Sequence, residues 1–170
     1  MYLCGYYQNM ENKKSTTLRL IYPQWQGGII SNLIPELPAD DASRGYYLGA
    51  QLLNLLAPNN GQKTVEVPVS LDIHNRSAKK GIMSFDAILK QTEDAINILE
   101  TESPERILTL GGDCSSSVVP FTYMASRYPD DVAIVWIDAD PDINMPGDNY
   151  EGYHVMALSA HLGLFVIACC

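Results

Sequence analysis

Hydrophobic residues along the chain switch between strand-like runs and helix-like spacing, and the switches predict its elements. Residues 17–22, Thr-Leu-Arg-Leu-Ile-Tyr, read as a first strand that Pro23 ends, and 24–28 read as a loop. Residues 29–42 carry Pro35, Pro38 and the adjacent Asp40 and Asp41, and read as irregular. A helix is expected from a Ser43 cap to Ala57, with Tyr46, Ala50, Leu53 and Ala57 on its buried face. Gly45 and Gly49 weaken it, and Pro58, Asn59 and Gly61 stop it. Residues 64–69 alternate like a strand, and Pro68 marks an edge or a strand end. The clearest helix starts after a Ser84 cap and ends at Ser103-Pro104. Phe85, Ile88, Leu89, Thr92, Ala95, Ile96 and Leu99 fall on one face of it. A short apolar strand over 106–110 turns at Gly111-Gly112-Asp113-Cys114 into a helix over 115–127, whose first turn Pro120 constrains. The apolar run 132–137 reads as a buried strand, followed by a polar loop up to Gly152 and a last helix over 154–162.

Strands that alternate with helices, the later ones continuously apolar, predict an α/β fold. Its three αβα layers would enclose a mainly parallel sheet covered on both faces. One such domain is expected over 1–163, with a short apolar tail over 164–170. In sheets of this kind ligands gather beyond the carboxyl ends of the strands. A right-handed crossover would bring the ends of strands 106–110 and 132–137 to one edge, so that Cys114 and the stretch 138–142 converge.

Charge narrows the range of partners. The 170-residue chain has 20 acidic and 11 basic side chains and a net charge of −9. This disfavours nucleic acid or an anionic membrane surface and is compatible with a cationic small-molecule substrate. No apolar run is long enough to cross a bilayer. The first residues lack the basic-then-apolar pattern of a secretion signal, which makes a cytoplasmic location the expectation. Cys4, Cys114, Cys169 and Cys170 show neither zinc-finger nor small-scaffold disulfide spacing, so reduced thiols are expected.

Candidate chemistry concentrates after residue 137. Asp138, Asp140 and Asp142 stand at alternate positions where an apolar strand should end, and clustered carboxylates are costly to desolvate without a cation among them. Oxygen ligands favour Mn²⁺ or Mg²⁺, whereas a Cys114 thiolate prefers zinc or iron. One or two divalent ions could lower the pKa of a water there and present hydroxide to an electrophilic carbon. A plainer alternative is that these aspartates cap turns. An EF-hand loop also fits the start of the run, but Ile143 stands where glycine is needed and Asn149 where a glutamate belongs. Phosphoryl transfer would need a phosphate-cradling glycine loop or a nearby lysine, and neither stands beside the cluster. His154 suits proton transfer, and its other reading is a surface histidine near a helix start. His74 and His161 read as structural.

Gly111-Gly112-Asp113-Cys114-Ser115, the stretch from Trp136 to Asn144, and Gly152-Tyr153-His154 resemble the ureohydrolase family of arginases, agmatinases and formiminoglutamases. That family carries a Gly-Gly-Asp-His turn, an Asp-Ala-His-x-Asp strand end and a later His-Gly pair, in this order. The resemblance spans roughly residues 106–163 and implies an arginase-like fold with Mn²⁺ as cofactor. By that resemblance, Cys114 stands where a histidine ligand of the first ion is usual, and Asp138 would bridge two ions. Asp140 replaces a histidine ligand of the second ion, and Asp142 would bind the first. Asn144 matches a residue that contacts the substrate α-carboxylate, and His154 matches the proton-transfer histidine. The implied reaction is hydrolysis of a guanidino or formimino carbon by metal-bound hydroxide, releasing urea or formamide and an amine. The chain departs from the pattern at both histidine ligands and at Val155, which replaces glycine. No acidic residue follows Glu151, where the family carries a further Asp-x-Asp pair. The expectation is therefore an arginase-like domain lacking its C-terminal part, with an open sheet edge that favours a homo-oligomer. The alternative is a non-catalytic member of the fold with a degenerate metal site, acting as a binding or assembly subunit.

Overall fold

The computed structural model describes residues 16–167 apart from 33 and 75; Cys4, Cys169 and Cys170 lie outside the described residues. Three parallel strands, β1 (Thr17–Tyr22), β2 (Lys63–Glu66) and β3 (Arg106–Gly111), form one sheet in the order β2-β1-β3. Leu20 of β1 lies beside Val65 of β2 and Thr109 of β3. Successive side chains of a strand point to opposite faces. Leu18, Leu20 and Tyr22 therefore share a face, where they pack against Ala95 and Leu99 of α2 (Phe85–Glu102) and Val119 of α3 (Val118–Arg127). Arg19 points to the other face, against α1 (Ala39–Leu56). The fold is thus mixed α/β, with helices on both faces of a parallel sheet.

Arg19 is 1% exposed. Its guanidinium donates to Asn54 Oδ1 (3.0 Å), Asn54 O (2.8 Å), Ala57 O (3.2 Å) and Pro58 O (2.9 Å). The last carbonyls of a helix lack intrahelical partners and carry the negative end of its dipole. A buried cation among them satisfies both needs, so one strand residue fixes where α1 ends over the sheet.

α1 begins at Ala39, four residues before the expected Ser43 cap, with Pro38 at the N-cap position. A proline at a helix boundary loses no internal hydrogen bond, and its fixed φ suits the turn. Ser43 therefore lies inside the helix, buried, and accepts from Arg76 Nη1 at 3.1 Å. Leu53, expected on the buried face, is half exposed, because the face that meets Arg19 carries Asn54 instead. β2 stops at Glu66, although Val67 still donates to Ile21 O. Pro68 has no N–H with which to extend the ladder. α2 spans the expected residues, but Ser84 caps it in position only. Its φ is +58°, and its hydroxyl accepts from Arg76 Nε instead of a helix amide. α3 follows a 3₁₀ turn, Cys114–Ser117, with Pro120 in its first turn, where its missing N–H costs no intrahelical bond.

The expected buried strand over 132–137 does not form. These residues make no ladder with β3, and Val132, Ile134, Val135 and Ile137 face outward, Ile137 being 93% exposed. A continuously apolar strand is stable only with cover on both faces. The exposure of these side chains means that no described element supplies it. Trp136 alone is half-buried, edge-on to Phe121 and His161. β3 is accordingly half open, with Leu108 exposed. The expected last helix is a 3₁₀ turn, Tyr153–Met156, followed by α4 (Ala157–His161). Residues 164–167 form no strand, and Phe165 stacks edge-on to Tyr153. Among the described residues no helix is long and apolar enough to cross a membrane.

Arg19→Met keeps the side-chain stem but strands several carbonyls at the end of α1. Each buried orphan costs about 1–3 kcal/mol. Urea unfolding of the variant is expected to give a stability loss of about 3 kcal/mol through a lower midpoint at unchanged m-value. A loss within about 0.5 kcal/mol, the usual range for a surface substitution, would refute the capping role.

Candidate metal centre at the carboxyl end of β3

The turn after β3 is welded to the loop after β1. Gly112 N donates to Tyr22 O (3.0 Å), and Asp113 N donates to Gln24 O (2.8 Å). A Cβ on residue 112 would overlap the Gln24 carbonyl, so this approach requires glycine. The buried Asp113 carboxylate accepts from Gly27 N (2.8 Å), Ser115 N (3.0 Å) and the Ser115 hydroxyl. Behind it the Gln91 amide donates to Gln24 Oε1 (2.9 Å) and Gln26 Oε1 (3.2 Å). Burial raises the Asp113 carboxyl to about 6, with the Ser115 and Gly27 donors opposing the rise. Sequence reasoning treated Asp113 only as part of a turn. The available signal was an aspartate just ahead of the helix expected over 115–127, a position that favours a capping carboxylate.

Cys114, Asp142 and His154 converge on this turn. One donor atom from each lies within 4.8 Å of the others. Asp142 is 3% exposed, and its Oδ2 has no hydrogen-bond partner. Its φ is +50°, in the left-handed region that non-glycine residues seldom occupy. The conformation is held by its own carbonyl, which accepts from Leu158 N (3.0 Å) and Ser159 N (3.4 Å). His154 is anchored by its N–H to Gly27 O (3.2 Å), and its Nε2 lies 2.9 Å from the Tyr150 hydroxyl. That hydroxyl also accepts from Ile29 N at 3.0 Å.

The other expected site residues divide. Cys114 Sγ donates to Asp138 Oδ2 at 3.5 Å, so Asp138 sits at the rim of the trio while remaining exposed. Asp138 Oδ1 accepts from Asp140 N at 3.1 Å. The Asp140 side chain is exposed and outside the trio. The half-buried Asn144 fixes its backbone to Val155 O at 2.9 Å. His161, read as structural, stacks on Phe121, and burial pushes it down to about 4. The expected convergence of residue 114 with 138–142 thus occurs at Asp138 and Asp142 without a strand leading into it. His154 joins them at ligand distance. Tyr150 behind His154 carries no signal in the sequence, since its role depends on a turn that periodicity does not reveal. Tyr46 of α1 also faces the site. Burial, then Asp113 and Cys114, push its hydroxyl up to about 12.

Burial dominates the electrostatics of the three groups. Burial raises the Cys114 thiol, and the Asp142 and Asp138 carboxylates raise it further. Burial raises Asp142 to about 6, against the lowering effect of Cys114. Burial holds His154 below its ordinary value, opposed by Asp138 and Asp140, which favours the neutral ring that metal ligation needs. An orphaned buried carboxylate oxygen beside a thiol and an imidazole fits one divalent cation. A two-ion centre of the kind the resemblance implies needs Asp140 as a ligand, and Asp140 is not in the cluster.

Asp142 yields a pH test. Its folded-state pKa lies above the usual 3.8, so the folded chain keeps a proton that the unfolded chain releases. The resulting stability is complete below pH about 4 and is lost as pH rises through about 6, a change on the order of 2–3 kcal/mol. Asp142→Asn mimics the protonated group. Metal-free chemical denaturation from pH 4 to 6.5 should show a smaller decline for the variant than for the native chain; equal declines would contradict the burial of this carboxyl.

Comparison with known proteins places these features in a family. The model of the Arginase family matches residues 53–165, a stretch that contains Cys114, Asp138, Asp142 and His154. An arginase of Plasmodium berghei (strain Anka) is 33% identical over 95 residues, which are 54% of this chain and 27% of that protein. The chain therefore spans little more than a quarter of the length of this curated relative. With its parallel sheet and a cluster of ligand-type side chains at the end of β3, the chain belongs to the arginase family.

Proposed function

We propose that the chain carries the metal-binding part of an arginase-family hydrolase that cleaves a guanidino or amidine C–N bond of a small cationic substrate. The observation that carries this reading is the Cys114–Asp142–His154 trio, in which the buried Asp142 keeps one oxygen without a hydrogen-bond partner. These three residues would hold the ion, with Asp138 beside Cys114. A divalent ion bound there would supply a Lewis acid that makes a water nucleophilic near neutral pH.

The remaining work falls to the chain's own groups. His154 serves either as a ligand or as a proton acceptor, since a neutral imidazole has one free ring lone pair, and its burial favours the neutral form that both roles need. The Tyr150 hydroxyl and Gly27 carbonyl fix its position. Asp138 and Asp140, exposed at the rim, give the mouth a negative potential that favours a guanidinium over an anion. By the resemblance alone, Asn144, two residues after Asp142, would contact the substrate's far end. Manganese is the ion the resemblance suggests; the family assignment does not itself choose the metal. The exposed position of Asp140 favours a second reading, a non-catalytic subunit that retains a single metal site as a relic.

The test is urea or amine release from arginine, agmatine and related guanidines, with Mn²⁺ and Zn²⁺ supplied in turn. Turnover by the native chain, lost by at least 100-fold in Asp142→Asn, is the expected result. A metal-dependent rise in melting temperature without turnover on any of these substrates would establish the relic instead.

A further inference from the structure

We propose that Cys114, Asp142 and His154 form a one-ion site that selects a borderline-soft cation of the zinc type over manganese, with Tyr150 as the positioning residue for His154. The proposal deepens the hydrolase reading and rests on it only for the reaction, not for the binding. The three residues offer one sulfur, one oxygen and one nitrogen donor. Manganese favours shells of oxygen, whereas a mixed thiolate, imidazole and carboxylate set suits zinc. Three protein ligands with a position left open is the pattern of catalytic rather than structural zinc.

The geometry agrees. Zinc ligands at about 2.0–2.3 Å from the ion place donor atoms roughly 3.3–3.8 Å apart in a tetrahedral shell. The trio lies within 4.8 Å, so a contraction of about 1 Å assembles the shell. The Asp142 oxygen is already desolvated and unpartnered, and its left-handed backbone holds it there. Asp138 Oδ2 lies 3.5 Å from the Cys114 sulfur and accepts the thiol proton, a bond that the thiolate of a bound site would give up. The carboxylate that a second ion would require, Asp140, is exposed and outside the cluster. A ligating histidine ordinarily holds its second ring nitrogen on an oxygen that fixes its orientation. Tyr150 Oη, 2.9 Å from Nε2 and itself pinned by Ile29 N, is that oxygen if Nδ1 meets the ion.

Most nitrogen, oxygen and sulfur sites bind zinc more tightly than manganese, so the discriminating quantity is how far the preference depends on the sulfur. The full chain is titrated with Co²⁺ as an optical stand-in for zinc and then challenged with Zn²⁺ or Mn²⁺; stoichiometry comes from equilibrium dialysis. The expected result is one Co²⁺ per chain, with a thiolate-to-cobalt charge-transfer band that Zn²⁺ abolishes. In Cys114→Ser the band disappears and the zinc-to-manganese affinity ratio falls at least tenfold. In Tyr150→Phe the band persists while zinc affinity falls by about 10–100-fold. Far-UV circular dichroism checks that both variants fold. Two Mn²⁺ per chain, a band that survives in Cys114→Ser, or an unchanged affinity ratio would overturn the one-ion thiolate site. Unchanged zinc affinity in Tyr150→Phe would overturn the role of Tyr150. Zinc binding as described without hydrolysis would defeat only the hydrolase reading, and hydrolysis by a chain holding two manganese ions would defeat only this one.

Discussion

The bonds from the Asp113 carboxylate to Gly27 N and Ser115 N organise the rest of the site. They tie the loop after β1 to the turn after β3, and each tied segment then positions a ligand-type side chain. Ser115 follows Cys114 directly, so clamping its amide fixes where the thiol stands. Gly27, clamped through its N–H, offers its carbonyl to the backbone of His154. An amide left unpaired at this depth costs about 1–3 kcal/mol. The clamp is thus strong enough to dictate local geometry, and glycine at 112 is the steric condition that lets the two loops meet.

The sequence made the elements with strong local patterns legible. β1, α2 and β3 lie where alternation, helical spacing and apolar runs predicted them: β1 and α2 bury their apolar sets within the described fold, and β3 pairs with β1 along its whole length. The start of α1 was misplaced because Pro38 can open a helix as well as interrupt one. Residues 132–137 failed for a different reason. An apolar run predicts a strand only if other layers cover it, and coverage is a property of the whole fold that no window of sequence contains. The same uncovered character appears on α1, where Leu48, Leu52, Leu55 and Leu56 are exposed at helical spacing.

The site was legible in part, and the division follows the physics. Cys114 and Asp142 could be paired from sequence because both follow apolar runs expected to be neighbouring strands; the pairing holds although only the run before Cys114 is a strand. Asp138 and Asp140 looked equivalent to Asp142 by spacing, yet only Asp142 is turned inward, by a left-handed backbone that an alternating pattern cannot foresee. Tyr150 and the Asp113 clamp each join a short-range bond, to His154 and Ser115, to a bond from a distant loop amide, at Ile29 and Gly27, and such contacts leave no periodic trace. Placing a thiol, a carboxylate and an imidazole together without a cation raises two pKa values and lowers the third, each change being driven first by burial. A bound divalent ion would reverse the cost of all three at once, which makes the cluster intelligible as a site rather than as a packing accident.

The central claim is that these three side chains share one ion. X-ray absorption at the zinc edge of the zinc-loaded chain tests it most directly, because the method counts ligand atoms by element. The account predicts a shell with one sulfur at about 2.3 Å and nitrogen or oxygen ligands at about 2.0–2.2 Å. A shell of oxygen and nitrogen without sulfur, or one with several sulfurs, would contradict it.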